Sequence, residues 1–158
     1  KRFMYEESFR TPLAMRMPDG AKDLKKRGDI PQFVQNIDYA PTILELAGAS
    51  IPKEIQGESI VPLLKGKTPS DWRKSVYYHY FEYPAEHAVR RHYGVRDSRY
   101  KLIHFYGHDI DKWELYDLQT DPKELVNQYD NLMYTKVKER MHKELKRLMT
   151  KYEDTQEL

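Results

Sequence analysis

The chain has 158 residues, of which 33% are charged and 39% are hydrophobic, and its formal net charge is +2. This length suits one domain, or a domain with a subdomain, and is enough to bury a core. The near balance of charge gives no argument for nucleic acid or an anionic membrane as a partner. Because the chain has no Cys, disulfides, thiolate metal sites and a Cys nucleophile are excluded within these residues.

The first half of the chain shows two short strand patterns and two helix patterns. Strands are predicted for PLAMRMP (12–18) and FVQNI (33–37). A helix is predicted after Asp38, which can act as its N-cap, and Gly48 is expected to end it. A second, short helix is expected near residues 59–64. The first of these helices is expected to bury an apolar face made of Ile43, Leu44, Leu46 and Ala47.

The second half predicts antiparallel strands followed by a long helix. Strand patterns cover residues 75–83 and 113–118, and the run 92–106 predicts a hairpin that turns at Asp97 and Ser98. A helix of about five turns is predicted near the end of the chain from its 3.6-residue apolar period. The apolar stripe of that helix consists of Met133, Val137, Met141, Leu145, Leu148, Met149 and Tyr152.

These patterns divide the chain into two parts with different organisation. Residues 71–158 predict a compact α+β unit in which one face of an antiparallel sheet lies under the C-terminal helix. Residues 1–70 hold two isolated strands and a helix, and we expect them to be the last elements of a larger α/β sheet. The chain opens at Lys1 with neither an initiator Met nor a signal segment. We therefore expect it to begin partway through a larger protein.

Two groups of side chains are candidates for chemistry. His79, His87 and His92 lie close together in the sequence, with Arg91 among them. No pair has the helical spacing of a zinc motif, so a polar, aromatic-lined cleft is favoured over a metal site. A purely structural set of histidines is favoured over both. Arg, His and Tyr side chains in such a cleft would suit the hydroxyls and an anionic group of a sugar.

The second group lies at the start of the chain. Lys1 could neutralise a sulfate or phosphate as a point charge, and Glu6 and Arg10 have the spacing of a pair across one helical turn. From spacing alone, surface charge at a frayed terminus is favoured. Neither G-x-S-x-G, a Gly-rich phosphate loop nor a paired carboxylate site is present. The residues therefore do not form a complete catalytic constellation.

Four motifs in series resemble type I sulfatases of the alkaline-phosphatase-like superfamily. The first is KRFMYEESFRTPLAMRMPDG, whose family pattern is a Lys, then Y-E, then R-x-P. The second and third are NIDYAPTILELAGA and QGESIVPLLKG. The fourth is YGVRDSRYKLIHFY followed by WELYDLQTDPKELVN, which resembles the small C-terminal subdomain of bacterial sulfatases. The stretch YYHYFEYPAEHAVRRHYGVR points to the branch of glucosamine-6-sulfatase-like and related glycosaminoglycan sulfatases.

This resemblance implies a fold and a reaction. The fold is the C-terminal portion of an alkaline-phosphatase-like α/β domain over residues 1–70, then an antiparallel-sheet subdomain with a long helix over 71–158. The reaction is hydrolysis of a sulfate ester by a formylglycine nucleophile, with a calcium ion that orients the sulfate. The implied partners are a sulfated carbohydrate and the upstream part of the same sulfatase. The implied location is exported, in the periplasm or outside the cell, or lysosomal.

The chain departs from the family pattern where the catalytic machinery is concerned. It has no C/S-x-P-S/A-R motif, and the segments that bind the metal are absent, so no metal ligand is assigned. Of the family's catalytic residues, only Lys1 has a counterpart in this chain. Glu6 and Arg10 match motif positions whose implied role is to hold the loop in place. The substrate-rim candidates are His79, His87, Arg91 and His92. We expect these residues to have no sulfatase activity alone.

Two other functions remain open at this point. One is a phosphoesterase or phosphonate hydrolase of the same superfamily, which the upstream nucleophile motif would distinguish. The other is a non-catalytic carbohydrate-binding module, in which the Tyr, His and Arg side chains form the whole binding site. The first half of the chain argues against a free-standing binding module, because its predicted strands would be unpaired and unpaired strand edges invite aggregation.

Overall fold

Four strands that follow one another in the chain form an antiparallel sheet. The computed structural model describes residues 2–17, 24 and 28–154. The strands are β1 (Ser75–Tyr80), β2 (His92–Asp97), β3 (Tyr100–Tyr106) and β4 (Asp111–Asp117). The strands and the hairpin predicted for the second half of the chain are confirmed, although the first strand ends at Tyr80 and not at Tyr83. The hairpin turn is held by the Asp97 carboxylate, which accepts from the backbone N–H groups of Arg99 and Tyr100 at 2.8 and 2.6 Å.

One face of the sheet is apolar and lies under the long helix α4 (Thr135–Lys151). Because side chains alternate along a strand, every second residue points to this face. Its core consists of Tyr93, Val95, Leu102 and Leu115 from the strands and Met141, Leu145, Leu148 and Met149 from α4. The predicted C-terminal helix and most of its stripe are confirmed. Met133 is an exception at 90% exposed, because it lies in a 3-10 turn (Leu132–Tyr134) before α4 begins.

The other face of the sheet lies under the first residues of the chain. Met4 is fully buried there against Ile103, Phe105 and Tyr116, and a short helix α1 (Glu6–Phe9) follows it. Gly94 of β2 lies where the segment around Met4 crosses the sheet. A Cβ at this position would lie 2.7 Å from the Met4 sulfur and 2.3 Å from the Leu102 carbonyl oxygen. A glycine is therefore required for the chain to pass this closely over the sheet.

A second compact unit runs from Leu13 to Lys74. It contains a 3-10 turn (Asn36–Asp38), helix α2 (Tyr39–Leu46) and helix α3 (Val61–Leu64). Its core is formed by Ile60, Leu63, Leu64 and Trp72, with Met17, Leu24, Ile30 and Val34 packed around them. The predicted short helix near residues 59–64 is confirmed as α3, and Gly48, with a φ of +69°, follows the end of α2 as predicted.

Two strand predictions in this unit are wrong. Residues 13–17 have no regular secondary structure, and residue 18 lies outside the described residues. Residues 33–35 are irregular, and the 3-10 turn from Asn36 follows them. In both segments the pattern was apolar enough for a strand, but the described part of this unit offers no strand to pair with.

The predicted burial of the α2 apolar face is also wrong. Ile43 is 65% exposed and Leu46 is exposed, whereas Pro41 and Thr42 are buried. The reason is Asp38, which is fully buried and does not cap α2 with its side chain. Its carboxylate accepts from the Gln35 and Glu58 backbone N–H groups at 2.7 and 2.9 Å, and pairs with the Arg73 guanidinium. Polar contacts, not the apolar stripe, therefore decide which side of α2 faces this unit's interior.

The described residues up to Pro12 form one compact unit with the part of the chain from Ser75 onward. The assignment of residues 1–70 and 71–158 to two domains of a sulfatase stays a prediction. In the part of the chain that the structure describes, no helix has both the length and the apolar composition needed to cross a membrane.

Replacement of Gly94 by Ala tests the close packing of β2 at this position against β3 and Met4. The added methyl group would meet a backbone oxygen, which cannot rotate away, so we expect a loss of about 1–3 kcal/mol in the free energy of unfolding. Chemical denaturation measures this loss. The matched control is Gly107→Ala, whose new Cβ would lie 3.6 Å from its nearest neighbour, an ordinary contact. Equal stability of the two variants would contradict the proposed clash.

Candidate functional site

The segment that follows Lys1 crosses a sheet face that carries charged side chains. Arg96, Lys101 and Glu114 alternate with the apolar-face residues of β2, β3 and β4, and therefore point to the side on which Met4 lies. Lys1 itself lies outside the described residues. The segment from Arg2 to Phe9 is thus held over a face that is unusually polar for a buried surface.

A buried lysine forms the centre of this arrangement. Lys101 is 0% exposed, and its Nζ donates to the Met4 carbonyl oxygen at 2.5 Å. The same Nζ lies 2.8 Å from Glu6 Oε1 and 2.7 Å from Glu124 Oε1. The Glu124 carboxylate also accepts from the Glu6 backbone N–H at 2.6 Å. We call Lys101, Glu6 and Glu124 the lysine clamp, because together they tie the backbone at Met4 and Glu6 to the sheet.

Glu6 and Tyr5 extend the clamp to neighbouring strands. The Arg96 guanidinium donates to both carboxylate oxygens of Glu6, at 2.9 and 3.2 Å. Burial disfavours the Glu6 carboxylate, but the hydrogen bonds from Arg96 and Lys101 outweigh it and hold its pKa below the ordinary value. Tyr5 donates to Glu114 Oε2 at 2.8 Å, and burial together with that carboxylate raises the pKa of Tyr5. Glu6 and Arg10, whose spacing would allow an ion pair, do not form one.

Arg2 connects the start of the chain to the segment between β1 and β2. Its carbonyl oxygen accepts from the Tyr78 hydroxyl at 2.8 Å, and its guanidinium lies 3.6 Å from Glu82. Glu82 in turn lies 3.5 Å from the Nδ1 of His87. His87, one of the four predicted rim residues, therefore shares the acidic partner Glu82 with Arg2. Both Glu82 and His87 are partly exposed and accessible to a ligand.

His79 and Arg91 lie on the face of the sheet that α4 covers. His79 Nδ1 donates to the Asp154 carboxylate at 2.5 Å, and its Nε2 accepts from the Tyr106 hydroxyl at 2.7 Å. Burial lowers the pKa of His79, although the Asp154 carboxylate opposes this. The Arg91 guanidinium stacks over the Tyr106 ring at 5.2 Å. This pair is therefore separated by the sheet from Arg2 and the lysine clamp.

His92 is fully buried on the other face, among aromatic rings. Its ring lies 5.8 Å from Phe3, 5.5 Å from Tyr80 and 5.0 Å from Phe105, measured between ring centroids. Its Nδ1 donates to the Arg90 carbonyl oxygen at 2.8 Å. The geometry thus favours a packing role for His92 over contact with a substrate. None of the four rim assignments is tested by the structure, and they stay predictions.

The described residues do not fit the calcium ion that the resemblance implies. Within them, no group of three or more His, Asp or Glu side chains is arranged to hold a metal. The carboxylates that do cluster, Glu6 and Glu124, already neutralise the Lys101 ammonium group. No catalytic step is therefore derived through a metal in these residues.

The lysine clamp is the feature that sequence reasoning missed. One signal was available: in YKLIHFY, Lys101 shares its strand face with Ile103 and Phe105, which marks an inward-pointing lysine. An inward lysine requires a buried carboxylate partner. Its partner Glu124 has a φ of 56° in the loop after β4, and no local pattern in the sequence identifies it.

Replacement of Lys101 by Met tests the energetic role of the clamp. The buried Glu124 carboxylate would lose its cation while Glu6 would keep Arg96, and we expect the free energy of unfolding to fall by about 3–5 kcal/mol. Denaturant titration measures the change. The double variant Lys101→Met/Glu124→Gln removes one orphaned charge and should recover part of the loss. If Lys101→Met alone were as stable as the unmodified chain, the clamp would have no structural role.

Because three histidines are buried, we expect the free energy of unfolding to fall when the pH is lowered mildly. Burial lowers the pKa of His79, His92 and His142 from the ordinary value of 6.5. Below that value the unfolded chain binds more protons than the folded chain, so the free energy of unfolding falls until the pH drops below the lowered pKa values. His92→Phe keeps an aromatic ring and should reduce this slope between about pH 7 and pH 5.5. An unchanged slope would show that His92 does not contribute.

Comparison with known proteins identifies the family. Residues 1–151 match the model described as N-sulphoglucosamine sulphohydrolase, C-terminal. An N-acetylglucosamine-6-O-sulfatase of Bacteroides thetaiotaomicron is 48% identical over 156 residues, which are 98% of this chain and 27% of that protein. The chain thus spans about a quarter of the length of that relative.

Solved structures agree with this match. A protein in complex with its substrate D-glucosamine-2-N,6-O-disulfate is 49% identical, with a TM-score of 0.71 over 75% of this chain and 24% of that one. A phosphonate monoester hydrolase of Agrobacterium radiobacter is 27% identical, with a TM-score of 0.61 over 72% of this chain and 24% of that one. The four-stranded sheet and long C-terminal helix match the C-terminal part of such structures. The chain belongs to the sulfatase family, in the C-terminal region that its family model describes.

Proposed function

We propose that these residues are the C-terminal part of a sulfatase that hydrolyses the 6-O-sulfate ester of a glucosamine unit in a sulfated glycosaminoglycan. The observation that carries the proposal is the 48% identity to an N-acetylglucosamine-6-O-sulfatase over 98% of the chain. The substrate named for the solved relative, a 6-O-sulfated glucosamine, supports the same sugar position. The sulfated carbohydrate and the remainder of the same sulfatase are the proposed partners.

In this proposal Lys1 provides positive charge at the sulfate ester. Its ammonium group would neutralise a sulfate oxygen and contact the oxygen of the nucleophile, so that charge developing in the transition state is stabilised. Support comes from the lysine clamp, which fixes the backbone at Met4 and Glu6 a few residues after Lys1. A charged group acts best when its support is rigid, because little reorganisation is then needed during the reaction.

The proposed substrate rim is the partly exposed pair His87 and Glu82, which Arg2 links to the start of the chain. His87 could donate to a sugar hydroxyl or anionic group, and Glu82 could accept from a hydroxyl. The His79 and His92 side chains are buried and Arg91 stacks on Tyr106 on the face that α4 covers, so these three residues are less suited to this role. The formylglycine nucleophile and the calcium ion supply the covalent step and the orientation of sulfate in the family, and we assign neither to these residues.

Three further features belong to the proposal. Residues 12–18 and 33–37 are proposed to belong to the end of an alkaline-phosphatase-like α/β domain, and the division into 1–70 and 71–158 belongs to the same proposal. The location is proposed to be exported or lysosomal, as is usual for the family. Fractionation of the source cells tests the location, and recovery of the protein in the cytosol would exclude it.

A phosphonate or phosphate ester hydrolase is the second candidate. The fold similarity to a phosphonate monoester hydrolase favours it, since the same scaffold serves both reactions. Comparison of kcat/KM for glucosamine-6-sulfate and for a phenyl phosphonate ester in the gene product that carries this chain separates the two. We expect the sulfate ester to be preferred. A preference for the phosphonate ester would replace the first proposal with the second, and binding without turnover of either would indicate a carbohydrate-binding module.

Replacement of Lys1 tests its assigned role in the same gene product. We expect Lys1→Ala to lower kcat for glucosamine-6-sulfate by about 100-fold or more, because a charge at the reacting group is lost. Lys1→Arg keeps the charge and is the matched control. A separately expressed chain of residues 1–158 should show no turnover, since it contains no Cys that could become formylglycine and no C/S-x-P-S/A-R motif. Full activity of Lys1→Ala would remove Lys1 from the catalytic machinery.

A further inference from the structure

A polar cleft lies beside the turn between β2 and β3, away from the residues that follow Lys1 directly. Its volume is about 390 Å³. The lining comes from the end of α1, from the β2–β3 turn and from the loop after β4. The residues that line it are Glu6, Arg10, Arg96, Ser98, Arg99, Leu118, Gln119 and Pro122. Three guanidinium groups thus face a cavity with a single carboxylate in its lining.

The charges around the cleft leave one cation unpaired among the described residues. Arg10 is exposed and makes no ion pair there, although it lies one turn after Glu6. The other cations near the cleft each have a carboxylate: Arg96 with Glu6, Lys101 with Glu6 and Glu124, Arg99 with Asp117, and Arg140 with Asp97. The cleft therefore has a positive surplus, and Arg10 carries it.

The cleft also offers hydrogen-bond donors that no described residue uses. Arg99 donates through Nε and Nη2 to Asp117, at 2.8 and 2.6 Å, which leaves its Nη1 available. The Ser98 hydroxyl and the Gln119 side-chain amide are exposed and make no hydrogen bond within the described part of the chain. The bidentate contact with Asp117 holds the Arg99 guanidinium in one orientation. A fixed guanidinium beside a second, unpaired one suits a group with several acceptor oxygens.

We propose that this cleft is a binding site for a sulfate or carboxylate group of an acidic saccharide chain, held chiefly by Arg10 and supplemented by Arg99, Ser98 and Gln119. The anion specificity follows from the charge and the donors of the cleft. The saccharide as the carrier of the anion rests on the proposed function. A chain with repeated anionic groups could occupy the cleft with one group while another lies elsewhere on the protein, which would strengthen binding through effective concentration.

Hydrogen exchange in the gene product that carries this chain locates the site without relying on turnover. The probes are a heparin-derived hexasaccharide and, separately, inorganic sulfate. We expect the hexasaccharide to slow exchange in peptides that cover residues 96–100 and 118–122. In Arg10→Ala the concentration needed for this protection should rise by about tenfold, because a charge-assisted hydrogen bond is lost. Arg147→Ala is the matched control, since it removes an exposed guanidinium on α4, and it should leave the titration unchanged.

Two further variants keep the test decisive if Arg10→Ala does not fold. Ser98→Asp places a negative charge in the exposed turn and should weaken protection, whereas Arg10→Lys should retain part of it. Unaltered protection in Arg10→Ala or Ser98→Asp, or its absence with the unmodified protein, would overturn the site. Equal protection by inorganic sulfate at the same concentration would overturn the saccharide as its carrier. Loss of sulfatase turnover with protection intact would contradict the proposed function and leave the anion site standing.

Discussion

The position of the first residues of the chain depends on one buried ammonium group. Lys101 cannot remain charged inside the protein without partners, because removal of an isolated ammonium from water is strongly unfavourable. Its partners are Glu6 and Glu124, which themselves require a cation. Lys101 and Glu124 are therefore mutually dependent, whereas Glu6 is also neutralised by Arg96. The geometry that satisfies them fixes the segment from Met4 to Glu6 on the sheet.

The two faces of the sheet are stabilised by different physics. Under α4, apolar side chains such as Leu115 and Leu145 are buried, and hydrophobic burial tolerates small shifts in packing. On the opposite face, ion pairs and hydrogen bonds restrict distance and direction much more narrowly. Gly94 adds a steric constraint at the same place. The face under the first residues therefore combines apolar packing around Met4 with directional polar contacts that suit it to positioning.

Sequence patterns predicted the elements that local periodicity determines. The hairpin over 92–106 and the C-terminal helix follow from alternation and from the 3.6-residue period, and both were confirmed. Predictions failed where distant residues decide the outcome. The apolar stripe of α2 does not face the interior, because contacts of Asp38 with Glu58 and Arg73 orient this part of the chain. Arg10 was predicted as a structural residue, but its position in a cleft depends on α1, the β2–β3 turn and the loop after β4, which only the fold brings together.

We propose that the lysine clamp presents Lys1 to a sulfate ester. A crystal structure of the gene product that carries this chain, with a 6-O-sulfated glucosamine bound, tests this most directly. We expect the Lys1 Nζ to lie within hydrogen-bonding distance of a sulfate oxygen while Lys101 contacts Glu6 and Glu124. A sulfate bound far from Lys1, with the clamp intact, would exclude this role of Lys1.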